Sequence, residues 1–566
     1  MVSSTKWWTL EPASFTGAGR RNRGSYGYHS IVKSKPHLTP AFWTARAKSA
    51  PARSCLTLAM ATLGTLFLMS SASLAQVPPV AAGAPNLPTL GDTEREDLSP
   101  AMERRLGDEI MRELRRDHDY LDDGPILEYL NDFGNGLVAA RPSVRGETSF
   151  DFFFFAVRDP QLNAFALPGG FIGVHSGLLL AAQTESELAA VLSHEIGHVA
   201  QRHIARMLGQ QRQDALIPLA ALILAVLASR AGGDTAIGVF AAGQALAIQR
   251  QLNFSRDAER EADRIGFQIM GEAGFDTSGM VAFFQRLQSA SRVYSDSMPA
   301  HLQSHPLTTE RIADIQARIR EMPYKQRADS LDFHLVRARA RVLQDESAQG
   351  LADAGAVFAN QLLQQRGHQR AAAQYGLALV ALKKGDVNQA QTWLDAARDT
   401  ITRAGPGTSM AAKQAGAIFT SMALEIKLAP HQSAQLAQLA LQEAQTAHLQ
   451  FPLSRGIALQ YAEAMIACAR PEEAARYLRE QVLLYREEPK LYDVMAKAYA
   501  AQGKMALQHM ALAESYVLSG GTLTALDQLT IARKASDASF YDLAVIDARE
   551  RELQARHREE VKESKK

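Results

Sequence analysis

The stretch VLSHEIGHVAQRH, Val191 to His203, sets two histidines four residues apart with a glutamate directly after the first. On an α-helix, residues i and i+4 rise from one face a turn apart, so His194 and His198 can offer both imidazoles to one metal ion. Glu195 projects about 100° round the helix from His194, near enough to act on a water held by that ion. Such a set supports hydrolysis: the ion acidifies a water, and the carboxylate takes its proton and later delivers it to the leaving group. A plain amphipathic helix can contain the same five-residue pattern, but the neighbours favour a metal site. Val191, Leu192, Ile196, Gly197 and Val199 are uncharged, as a helix packed in an interior requires. Gly197 costs roughly 1 kcal/mol relative to alanine inside a helix, which implies that another segment passes close to it. His203 lies nine residues from His194, about half a turn out of phase on a continuous helix, so it is excluded as a co-ligand and expected on the surface.

Zinc catalysis uses three protein ligands and one open position. Downstream, NFSRDAEREADRIGF places Glu259 and Asp263 four apart, with the small Ala262 between them. Read alone, this mixed-charge run is a solvated, salt-bridged helix face. Beside a metal motif it offers a carboxylate third ligand in Glu259 and, in Asp263, an acid able to orient a ligand imidazole.

The elements that must carry these residues can be sketched from pattern. The segment TESELAAVLSHEIGHVAQRHIARML opens with a Thr184…Glu187 capping box and has apolar residues at helical spacing. Helical stretches precede it at Ala101 to Arg115 and Pro125 to Val138. The aromatic run FDFFFFAV and the segment NAFALPGGFIGVHSGLL are rich in Phe, Ile and Val, and Pro168-Gly169-Gly170 divides them as in a hairpin, the one clear β signal. From about residue 336 the composition shifts to Ala, Leu and Gln. Segments 375–397, 461–481 and 494–514 each read as helix, break and helix, with breaks at Lys384-Gly385, Ala469-Arg470-Pro471 and Gly503. Ala469 and Gly503 are 34 residues apart, the tetratricopeptide (TPR) period, although a generic antiparallel bundle accounts for the same residues. Either arrangement suits the binding of protein segments. The ending DAREREL…KESKK reads as a charged helix with a solvated tail.

With 566 residues, two or three folded units are expected, and 46% hydrophobic with 21% charged residues is globular composition. Residues 1–75 hold nine Lys/Arg against the single acid Glu11, so the remainder carries about −7, without the basic stripe that nucleic acid would need. The uncharged run LTLAMATLGTLFLM at 56–69, preceded by Arg46, Lys48 and Arg53 and followed by Ser73 and Ala75 before Gln76, has the layout of a secretory signal peptide. Residues 76–97 are a Pro/Ala-rich linker. Of two cysteines only Cys468 lies beyond the cleavage site, so no internal disulfide is expected in the exported chain. The apolar stretches 215–228 and 235–248 are short for membrane spans, and Pro218 interrupts the first; they read as a buried helical hairpin, or else as a peripheral membrane contact.

HEIGH at 194–198, E-x-x-A-D at 259–263 preceded by Ser255-Arg256, NAFALPGG and HPLTTER at 305–311 together resemble the zinc metallopeptidase family that includes the heat-shock protease HtpX and the prenyl-protein endopeptidases, and most closely its periplasmic branch. The resemblance implies one Zn2+ per chain held by His194, His198 and Glu259, with Glu195 as the catalytic glutamate and Asp263 as the supporting acid, described in the family also as proton donor. His305 is a candidate fourth ligand that holds the enzyme latent, and the hairpin Phe165 to His175 a candidate edge strand for an extended substrate. The fold implied is α+β, mostly α: a zincin-type metalloprotease domain at 98–325 with a small hairpin or sheet, an all-α TPR-like solenoid at 336–520, and a charged C-terminal helix and tail at 521–566. The function implied is a periplasmic endopeptidase for unfolded or misassembled outer-membrane proteins, with the helical half meeting substrate or the β-barrel assembly machinery. The rival reading is a mostly latent chaperone or adaptor acting through that half.

Overall fold

The computed structural model describes residues 99–146, 150–209, 255–293, 301–302, 305–321, 325, 327–403 and 416–563. The signal-peptide segment, the linker and the apolar stretches 215–228 and 235–248 lie outside the described residues.

The first half is built from helices around a three-stranded sheet. Helix α1 (Pro100–Leu114) starts at Ser99, whose hydroxyl accepts from the Met102 amide, and α2 (Gly124–Ala140) starts at Asp123, whose carboxylate accepts from the Ile126 amide. Strands β1 (Phe153–Val157), β2 (Ala164–Leu167) and β3 (Phe171–His175) follow, in the spatial order β1-β3-β2. The expected hairpin is the antiparallel β2–β3 pair; Gly169 and Gly170 turn it at φ values of 78° and 93°, which only glycine adopts cheaply. The aromatic run adds the third strand, β1, parallel to β3 with Phe153 opposite Phe171. Alternation along the strands splits the apolar side chains between two layers. Phe154, Ile172 and Val174 join the main core with α2, while Phe155, Val157, Leu167 and Phe171 pack beneath α1.

After β3 come α3 (Ser176–Ala181), α4 (Glu185–Ala200), α5 (His203–Gly209), α6 (Arg256–Glu272), α7 (Ser278–Val293) and α8 (Thr309–Glu321). Thr184 caps α4 as its sequence predicts, taking the Glu187 amide at 3.2 Å. The returning half of the box reaches one residue further back, with the Gln183 amide donating to Glu187 at 2.9 Å. Helix α4 is buried from Glu185 to Val199, and α6 lies tight across it.

Helix α9 (Leu331–Gln344) begins the helical half and is also part of the first half's core. Its buried Arg339 donates to Asp123, the cap of α2, at 2.7 Å and to Glu425 at 2.7 Å. Beyond it the helices run in consecutive packed pairs, among them Gly367–Lys383 with Val387–Arg403, Arg455–Ala467 with Pro471–Leu484, and Pro489–Ala501 with Met505–Leu518. The breaks fall where the sequence places them, at Gly385, Ala469 and Gly503, all three with positive φ. The last helix, Phe540–Glu563, is less solvated than its charge suggests, because Ile546 and Leu553 are buried against the preceding helices. The molecule is therefore mostly α with one small sheet, as expected. No helix among the described residues is long and apolar enough to cross a membrane.

Candidate metal centre

His194 and His198 project from one face of α4, and Glu259 meets them from the first turn of α6. The two helices approach this closely because of two glycines. A Cβ on Gly197 would sit 2.9 Å from the Ala262 carbonyl oxygen, and one on Gly266 would sit 3.0 Å from the His194 nitrogen. The close neighbour that Gly197 implies is thus the backbone of α6.

Donor atoms of four buried residues converge. His194 Nε2 lies 3.0 Å from His198 Nε2 and 3.5 Å from Glu259 Oε2, and His198 Nε2 lies 3.5 Å from Glu259 Oε1. His305 Nδ1 completes the group, 3.4 Å from His194 Nε2 and 2.8 Å from Glu259 Oε1. A tetrahedral zinc ion with bonds of about 2.1 Å holds its ligands about 3.4 Å apart, so these separations fit a cation at the centre. Glu259 Oε2 is also buried, and Arg311 Nη1 pairs with it at 2.7 Å. The charge state fits as well. Burial drives His198 well below its usual pKa, so its imidazole is neutral, the form that binds metal. Burial alone would raise the Glu259 carboxyl, but His305, His198 and His194 hold it far below the usual carboxylate range.

Around these four lies a layer that orients them. Asp263 Oδ1 is 2.9 Å from His194 Nδ1, and Arg311 on α8 fixes Asp263 with its Nε 2.6 Å from Oδ2 and its Nη2 2.7 Å from Oδ1. Arg311 is buried, and its part in the site is not legible from spacing along the chain. His203 requires a correction. It is 3% exposed rather than on the surface, with Nδ1 2.9 Å from His198 Nδ1 and Nε2 3.2 Å from Glu261. Helix α4 ends at Ala200, and Arg202 takes φ 52°, so the chain turns and brings His203 back beneath His198. It touches the far nitrogen of that ring and stays outside the donor cluster.

Glu195, the candidate base, is wholly buried and makes no side-chain hydrogen bond; the Ala166 backbone and the His305 ring are its polar neighbours. Burial raises its carboxyl above the ordinary range, opposed chiefly by His305 and His194. Strand β2 packs against α4 and is an edge of the sheet, as the hairpin reading requires.

The model of peptidase family M48 matches residues 135–319, the span that contains every residue named above from α4, α6 and α8. The β-barrel assembly-enhancing protease of Yersinia pestis is 31% identical over 84% of this chain and 95% of its own length. This chain belongs to peptidase family M48. As a member it is a metalloprotease, a family that implies a divalent metal, and the converging donors on α4 and α6 are compatible with one. The β-barrel assembly-enhancing protease of Escherichia coli strain K12 is 29% identical over 85% of this M48 chain and 94% of its own length. A putative β-barrel assembly-enhancing protease of Vibrio cholerae is 40% identical over 46% of this chain, and the match spans 54% of that relative.

Proposed function

We propose that this M48 peptidase is a zinc-dependent endopeptidase that cleaves unfolded or misassembled outer-membrane proteins in the periplasm. The observation that carries the catalytic part is the buried quartet His194, His198, Glu259 and His305, with the buried carboxylate of Glu195 beside it. The names of the full-length relatives support the outer-membrane part, and the signal-peptide layout of residues 56–75 supports the periplasm.

His194, His198 and Glu259 are the residues that would hold the zinc ion. When bound, zinc supplies Lewis acidity for a peptide carbonyl and for a water. The chain's own groups do the rest. Glu195 takes a proton on its carboxylate and delivers it to the leaving amine; its burial raises its proton affinity above that of an exposed carboxylate, which favours its holding the proton between the two transfers. Asp263, held ionised by Arg311 and His194 despite its burial, keeps the His194 ring in register. Strand β2, an edge of the sheet among the described residues, gives an extended substrate a backbone to pair with, so that cleavage depends on an unfolded segment more than on one side chain. The paired helices of the second half, read as TPR-like repeats, bind substrate or the assembly machinery.

The purified protein is expected to cut a denatured outer-membrane β-barrel and spare the folded one, and a chelator should stop the reaction. Equal cutting of both forms, or cutting that survives metal removal, would contradict the reading.

One observation favours a latent state of the same enzyme. His305 Nδ1 stands in the group as a fourth ligand, where a catalytic zinc keeps an open position. His305→Ala is then expected to raise the cleavage rate; an unchanged rate counts against latency and leaves the peptidase reading intact.

A further inference from the structure

His305 presents a nitrogen to each side. Its Nδ1 faces the quartet, while its Nε2 lies 3.7 Å from Glu195 Oε1. Behind it His301 stacks on the same ring, centroids 4.6 Å apart and planes 29° from parallel. Glu195, His301 and His305 each offer a ligand atom to a common point, all within 4.8 Å of one another and all buried. The carboxylate in this group makes no side-chain hydrogen bond, faces the His305 ring and the Ala166 backbone, and has a side chain 1% exposed.

We propose that Glu195, His301 and His305 form a second, weaker site for a divalent zinc ion, one that inhibits the enzyme. The His301 ring, the Glu195 carboxylate and His305 in the tautomer whose Nδ1–H points to Glu259 and whose lone pair lies on Nε2 are a zinc donor set, and a separation of 3.7 Å is within the span of two ligands on one ion with bonds of about 2.1 Å. Burial drives His301 well below its usual pKa and so supports a ring that is a lone-pair donor, though the site stands on its geometry. Inhibition follows from the ligand chosen: an ion on Glu195 occupies the oxygens that must accept the proton. The site is weaker than the first because a neutral imidazole binds one ion at a time, so filling it takes the His305 ring away from the quartet.

This rests on the zinc reading above for the first ion, and the experiment counts the two ions separately. Stripped full-length protein is loaded with increasing zinc, desalted, and assayed for zinc per chain by plasma mass spectrometry, alongside its cleavage rate relative to its own rate at one equivalent. Wild type is expected to take a second ion and to lose rate as it does so. His301→Phe keeps the stacked ring without its donors, and should retain the first ion while needing about 10–100-fold more free zinc for the second ion and for inhibition. His301→Gln, read in the same way, serves if the phenylalanine disturbs folding. A wild type that stops at one ion, or variants that load and lose rate as wild type does, would overturn the second site and leave the first standing. Failure to bind even one ion would overturn both.

Discussion

Asp263 Oδ1 lies 2.9 Å from His194 Nδ1, and both oxygens of that carboxylate are gripped by the buried guanidinium of Arg311. The metal-facing nitrogen of His194 is thereby aimed by a group two side chains away. Asp263→Asn should keep the fold and lower zinc affinity about 10–100-fold, read by competition with a chelating dye. Unaltered affinity would mean that the His194 ring is positioned by its helix alone.

Gly197→Ala tests the close crossing of α4 and α6. The added methyl meets Ala262 backbone at 2.9 Å and 3.0 Å, atoms with no flexible end to swing away. Overpacking of this kind costs about 1–3 kcal/mol, so a lower thermal midpoint and weaker zinc binding are expected together. A rise in stability, as alanine gives at an open helix position, would show that the helices can part freely.

Asp332, near the start of α9, supplies a pH dependence. Burial first, then Glu185 and Asp132, push its carboxyl from 3.8 to about 7. Below the lower value both folded and unfolded chains are protonated there. Between the two, the folded chain keeps a proton that the unfolded chain has lost, so this group's contribution to stability falls as pH rises, and levels off above about 7. Asp332→Asn removes that fall. Its advantage over wild type in unfolding free energy should grow between pH 5 and 7 by up to about 1.4 kcal/mol per unit. An advantage independent of pH would contradict the buried-carboxyl reading.

The parts of the site that are periodic are legible in the sequence. His194, His198 and the Glu259/Asp263 pair are set by helical spacing, and the donor cluster joins the first three as the motifs imply. Gly197 is legible for a related reason, since a glycine weakens a well-patterned helix unless a neighbour needs the room. The residues that escape depend on where helices end or meet. His203 falls out of phase only on a helix continued past Ala200, and the positive φ of Arg202 breaks that continuity. Arg311 lies 48 residues from the carboxylate it fixes, and only the docking of α8 brings them together. The parallel partner strand Phe153–Val157 is hidden because buried aromatic runs carry no alternation that names their neighbour.

Glu195 moves the proton at a metal that other residues hold, so losing its carboxylate should separate metal binding from cleavage. Glu195→Gln preserves shape and removes the base. The decisive comparison is cleavage of a denatured outer-membrane protein by wild type and by Glu195→Gln, with zinc per chain measured on the same samples. About one tightly held zinc is expected in both proteins, with a loss of cleavage of at least about a hundredfold in the variant. Cleavage by Glu195→Gln at the wild-type rate, or purified wild type that cleaves without metal, would overturn that division of roles.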